Sequence, residues 1–316
     1  MKNLPEKKEI PRPVSTSIDI KNRIEEMQKK YRLEYKGSIG KFTAPVHIAP
    51  GNNSIWVVNH EEKGSSLVEV HKETGEIKNQ FHFDELLHYI QWIPENESIL
   101  FCHWANVGLL YRFDLKTNKI SLLNLDQEKH GHVSSIKIIN DKIVSPDTYT
   151  HQLFFYDLNG NLERVINLKT KFEFPIQLCR ILSTTQILLT AYDESYRTRY
   201  PDLFNKYRIT DMNPKTNLAI LDLKNESIHY LPKLETPPGE YIWSISQHID
   251  GSFFLNSPST LFKLDSNLNI IFSINLEKNI ERINQNQFRC YGSFIENNRL
   301  FLLEIYKNRT IYQFSI

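Results

Sequence analysis

Seven of the 11 histidines, His47, His60, His88, His103, His130, His132 and His151, lie near the ends of short apolar segments in the first half of the chain. Imidazole titrates nearer neutrality than any other unperturbed side chain and is a common metal ligand, so a concentration of such groups points to two chemistries. In the first, His60, His88, His103 and His132, completed by Asp147 or Glu304, hold a divalent transition metal. Neutral imidazole nitrogen and carboxylate oxygen are usual ligands for zinc, iron or copper, and such an ion polarises a carbonyl or acidifies a bound water. In the second, His103 or His132 is the general acid or base beside Asp147 or Glu304, without a metal. Local spacing selects neither, because H-G-H at 130–132 and C-H-W at 102–104 match no established metal motif. Any single histidine near a strand end has an ordinary alternative role, bonding a neighbouring carbonyl; the concentration in one sector is what singles the group out. Tyr192, Trp243, Arg289, Asn256 and Trp104 are the expected binding surface, with Trp104 and Trp243 placed to stack on a ligand.

The elements that position these residues are repeated hairpins. Five segments carry an apolar strand, a polar turn and a second apolar strand, for example GLLYRFDLKTNKISLLNL and STLFKLDSNLNIIFSINL. Their turns open at His71, Asp114, Asp157, Asp222 and Asp265, spaced 43, 43, 65 and 43 residues apart, so one period recurs with a single 22-residue insertion. Asp, Asn and Gly at the turns supply side-chain bonds to the backbone and tolerance of positive φ. Six earlier hairpins precede or follow these, among them HIAPGNNSIWVV, SSIKIINDKIVS and YGSFIENNRLFLLE. Four strands in about 40–50 residues is the pattern of a propeller blade. The sixth unit stops at Ile316 one strand short, and LEYKGSIGKF at 33–42 has the length and pattern to complete it. The expected fold is all-β: a six-bladed β-propeller over 32–316, closed by an N-terminal strand.

The remaining segments carry the partner expectations. Residues 1–14 are a polar tail, and Ile20, Ile24, Met27 and Tyr31 recur at helical spacing after Ser17 or Asp19, which predicts a short helical extension within 1–31. The insertion at 194–216, in the fourth unit, brings Tyr196, Tyr200, Tyr207, Arg197, Arg199, Arg208 and Phe204 into one loop. A loop joining second and third strands lies on the face where the innermost strands begin, so it overhangs the channel mouth as a lid or protein-contact surface. The same face gathers the second-strand ends, Asn59, His60, His103, Asp147, Tyr192, Asn256 and Glu304.

Composition narrows the classes. Formal net charge is +1 and basic residues form no stripe, which argues against nucleic acid as a partner. No run approaches the length of a membrane span, and the first residues lack the apolar core of a signal peptide. Three dispersed cysteines fit a reducing compartment, so a cytoplasmic location is expected. The phosphate-loop, nucleophile-elbow and H-E-x-x-H patterns are missing, and no nucleotide cofactor is expected.

With six units of about 43 residues and the strand closure in view, the chain resembles the six-bladed β-propellers that include NHL-repeat proteins and the gluconolactonase, paraoxonase and strictosidine synthase relatives. The lactonase branch holds calcium on the channel axis through Glu, Asn and Asp, and Asn59, Asp147, Asn256 and Glu304 are the counterparts by location, whereas His47 occupies the region of the acidic residue that opens the first blade in that branch. The leading expectation from the residues at the channel mouth is an enzyme acting on a small molecule or short peptide there, by metal-assisted hydrolase or lyase chemistry; the architecture alone does not fix a function. The alternative is a binding propeller that holds a protein partner through 194–216 and the N-terminal helix.

Overall fold

A computed structural model describes residues 34–103, 110–123, 135–147, 150–168, 176–183, 185–191, 217–237, 240–276, 289–305 and 309–316, with the backbone alone at 34–35, 103, 176–179 and 181. The N-terminal helix expected within 1–31 and the insertion at 194–216 lie outside the described residues.

Among the described residues, the strands form six four-stranded antiparallel sheets. Blade one comprises Pro45–Pro50, Ser54–His60, Ser65–His71 and Ile77–Phe83, and each following blade repeats the order inward to outward. The innermost strands of blades two to six are Leu87–Ile93, Lys137–Ile139, Ile176–Ser183, Ser244–Gln247 and Cys290–Glu296. Each neighbours the next around a ring, and the sixth neighbours the first.

Local sequence accounts for the strand order. The second strands read as nearly unbroken apolar runs, SIWVVNH in blade one and RLFLLE in blade six, because both faces of a blade are covered by neighbouring blades. The outermost strands meet water instead: Ile77–Phe83 is exposed along most of its length, as is Lys119–Leu123. Trp56 is 2% exposed and stacks on Trp92 with ring centroids 6.5 Å apart, which packs blade one on blade two as the apolar pattern predicts.

The turns behave as their residue types require. Asp157 Oδ1 accepts the amides of Asn159 and Asn161 at 2.8 Å, and Asp265 Oδ1 accepts those of Asn267 and Asn269 at 2.9 and 2.8 Å. At the first marker His71 Nδ1 replaces the carboxylate, accepting from Glu73 and Thr74 at 3.2 and 3.3 Å. Two inner hairpins have two-residue loops with both residues left-handed: Asn140 and Asp141 at φ 48° and 57°, Asn297 and Asn298 at 49° and 58°. Asn and Asp tolerate that region, and the resulting turn matches the twist of the strands it joins.

The sixth blade is completed as the sequence anticipates. Glu34–Ile39 pairs antiparallel with Ile311–Ser315, Ile39 opposite Ile311 and Glu34 opposite Ser315. Beneath this seam Ile39, Ile48, Val57, Phe294, Phe301 and Ile311 share one core cluster that joins the last blade to the first. Arg299 donates to Glu73 at 2.5 Å and Lys72 pairs with Glu296, so ion pairs also bridge those blades.

Candidate functional site

The polar residues at the second-strand ends are buried and turned onto backbone. Asn59 Oδ1 accepts the amides of Thr43 and Ala44, both at 2.9 Å, and so fixes the entry into blade one. Asp147 Oδ1 accepts the amide of Thr150 at 3.0 Å, and Glu304 Oε2 accepts that of Arg309 at 2.9 Å; both residues are 0% exposed. Asn256 Nδ2 donates to the Cys290 carbonyl at 3.0 Å, and its Oδ1 accepts the Ser244 hydroxyl. In blades one, three and six this position thus performs one task, which is to satisfy loop amides that the strand ladder leaves without partners.

The described histidines also have local roles. His60 Nε2 lies 2.7 Å from the Leu87 carbonyl, tying blade one to blade two. His88 packs on Tyr89 at 4.2 Å between centroids, and His47 meets the edge of the same ring at 5.0 Å. Strand register sets His103 opposite Leu87, so the His60 ring, the neighbouring residue His88 and the backbone of His103 all adjoin Leu87. The side chain of His103, and Trp104, His132 and Tyr192 entirely, lie outside the described residues. Among the described residues, no three His, Cys, Asp or Glu side chains are grouped to hold a metal ion.

Arg289 and Trp243 sit near one another in blades five and six. Arg289 Nη1 donates to Glu240 Oε1 at 2.5 Å, while Glu240 Oε2 accepts the Ser257 hydroxyl at 2.7 Å and the Ser259 amide at 2.9 Å. Glu240, 5% exposed, is the anchor that sequence reasoning missed; no periodic signal marks a lone Glu ahead of an aromatic strand. Trp243 stacks on Tyr241 at 5.0 Å between centroids and meets the Tyr291 ring at a tilt, 4.3 Å away.

A cavity of about 190 Å³ lies among the innermost strands of all six blades. Its hydrogen-bonding lining includes Gln91, Ser135, Ser244, Ser246, Gln247 and Ser293, with Trp243 as an aromatic wall and Lys137 and Arg180 as cations. Arg180, Gln247 and Ile295 also line a second cavity of about 460 Å³, beside the turns at Gly251 and Asn297–Asn298. The second cavity lies beside the first hairpin turns, at the opposite end of the second strands from Asp147 and Glu304. Lys137 and Arg180 were not singled out by the sequence, because a basic residue in SSIKII or QLCRIL gains meaning only when the register aims it at the axis.

Burial and the nearby ammonium of Lys137 push the His47 imidazole down to about 3, so it is neutral in the channel wall at ordinary pH. Burial pushes the thiols of Cys102 and Cys290 up to about 12. Neither thiol is poised as a nucleophile, since the thiolate is the reactive form.

No protein-family model matches the chain, and no curated protein is similar to it. Among solved structures, 1256 chains match, so the architecture is too widespread to select a function. One is the extracellular domain of the putative hybrid two component system BT3049 from B. thetaiotaomicron, with TM-score 0.55 and 12% identity, covering 87% of this chain and 40% of that one. The chain thus spans less than half the length of that structure, and the likeness is one of fold. What fold and comparison together establish is the class: an all-β, six-bladed β-propeller with an axial channel.

Proposed function

We propose that this chain is a small-molecule-binding propeller whose ligand site is the axial channel. The observation that carries this reading is the character of the described channel lining: hydroxyls, amides, an indole and two cations, with no carboxylate to pair with His47 as acid and base. Asp147 and Glu304, the carboxylates from which acid–base or metal chemistry was expected, each accept a loop amide and are not among the residues that line the described channel. Small-molecule sites combine a concave wall with a few convergent polar groups, and the channel has both.

The test is native mass spectrometry of the purified full chain for a co-purifying small molecule, together with the Gln247→Trp variant, which fills the junction of the two cavities. A bound species lost in Gln247→Trp supports the reading. Turnover of ester or lactone substrates that disappears on replacing His103 and His132, and persists in Gln247→Trp, overturns it in favour of an enzyme at the other face.

A further inference from the structure

We propose that His248 is a proton-sensitive latch between blades five and six: its charged ring holds two hairpin turns together, and its neutral ring alters one of the contacts. The latch sits in the wall of the larger cavity, and its action is independent of the ligand reading above.

His248 lies in the turn between Ser244–Gln247 and Phe253–Asn256, the first hairpin of blade five. Backbone closes this turn, since the His248 amide donates to the Ser252 carbonyl at 2.8 Å and the Gly251 amide to the His248 carbonyl at 3.0 Å. The ring leaves its own turn for the corresponding one of blade six, where Nε2 lies 2.9 Å from Asn298 Oδ1. Asn298 is fixed in turn by its carbonyl, which accepts the Ile316 amide at 3.0 Å. His248, Gly251, Asn297 and Asn298 all line the cavity of about 460 Å³.

Both ring nitrogens face oxygen. Nδ1 is 2.9 Å from Asp250 Oδ1, within reach of an ion pair, yet it is buried and has no aligned hydrogen bond among the described residues. A neutral imidazole has one proton for its two nitrogens. With that proton on Nε2, bonded to Asn298, Nδ1 turns a lone pair toward a carboxylate. With the proton on Nδ1 instead, Nε2 becomes an acceptor and the Asn298 amide must rotate to offer it an N–H. Only the charged ring keeps both oxygens where they stand, and a charge needs proximity to Asp250 more than alignment.

The neighbouring charges give the sign. Hydrogen bonding from Ser252, ahead of the adjacent His248 ring, holds the Asp250 carboxyl well below the usual carboxylate range, so it stays charged wherever imidazole titrates. On the same wall Glu296 of blade six pairs with Lys72 of blade one, and Arg180 of blade four is the cation that opposes protonation. The described ionic contact of the ring is with Asp250. Closure is therefore complete on the acid side and is lost as pH rises. The His248 side chain is 11% exposed, but Asp250 is half-exposed, so solvent screens the pair and the effect is modest.

Hydrogen exchange by NMR on the full chain, at about pH 5.5 and about pH 8, tests the latch across the range in which imidazole changes charge. The Gly160 amide is the internal control, because it donates to the Asp157 carbonyl at 3.0 Å in a comparable turn that has no histidine. Protection of the Gly251 amide relative to that of Gly160 is expected to be about two- to fivefold greater at the acid end. His248→Gln and Asp250→Asn should each remove the difference, the latter while keeping an oxygen for the Ser252 amide, which Asp250 Oδ1 accepts at 2.8 Å. If neither variant folds, the Asn298 side-chain amide of the unaltered chain decides, since its resonances should move together with those of the His248 ring. Equal relative protection at both pH values, a difference of opposite sign, one that persists in both variants, or an Asn298 amide indifferent to the ring would each overturn the inference.

Discussion

The hydroxyl of Thr310 lies 2.8 Å from the carbonyl oxygens of both Ile39 and Gly40, which joins the third strand of the last blade to the strand that precedes the first blade, across about 270 residues of sequence. Thr310 is 5% exposed, so the bond is shielded from water. Removing a buried donor leaves its acceptors unsatisfied, and Thr310→Val is expected to cost about 1–2 kcal/mol. Urea unfolding followed by circular dichroism measures this, with Thr310→Ser as the variant that keeps the hydroxyl. Equal midpoints for Thr310→Val and the unaltered protein would show that the bond contributes nothing to closure.

Glu304 is predicted to be a structural carboxylate. Glu304→Ala strands the Arg309 amide and should destabilise by about 1–3 kcal/mol, whereas Glu304→Gln keeps an oxygen in place and should cost less. The ordering in chemical denaturation is the check. Gln and Ala variants of equal stability would mean that the amide contact is irrelevant.

His47 gives a pH dependence with a defined sign. Its folded value is depressed to about 3 by burial and by Lys137, while in the unfolded chain it titrates near the ordinary imidazole value of about 6.5. Between these values the unfolded state binds a proton that the folded state does not. Stability is therefore fully present above the unfolded value and is lost as pH falls from there toward the folded value. His47→Gln, which cannot take up the proton, should flatten the change in denaturation midpoint between about pH 7 and about pH 5. Parallel curves for the variant and the unaltered protein would refute the assignment.

Buried thiols should be silent to alkylation. Cys102 and Cys290, held near 12 by burial, are expected to stay unmodified by iodoacetamide in the native protein and to react once it is unfolded. Peptide mass mapping distinguishes the sites. Rapid native labelling of either would contradict the packing of the blade that contains it.

The architecture was legible because a propeller writes itself repeatedly. Asp114, Asp157, Asp222 and Asp265 each accept backbone amides at a corresponding turn, and a task performed several times leaves a period in the sequence. The closing strand was legible for the same reason, since a sixth unit with three strands requires a fourth. The candidate site is less legible in the sequence. Polar residues at the second-strand ends drew attention, and those described are occupied with holding loops, as Asn59, Asp147 and Glu304 do. Ser135 and Lys137 of blade three and Arg180 of blade four line one cavity only because the ring sets neighbouring blades about a common axis, which no local pattern encodes.

The pairing of Glu34–Ile39 with Ile311–Ser315 also sets an order of events during synthesis. Ile39 leaves the ribosome 271 residues ahead of Thr310, a wait on the order of tens of seconds at about 5–20 residues per second. Throughout that time the nascent chain carries a lone strand whose partner does not yet exist. Its sequence, EYKGSI, suits the delay, because the charge of Lys36 and the irregular register beside Gly37 make it a poor template for pairing with a stray neighbour.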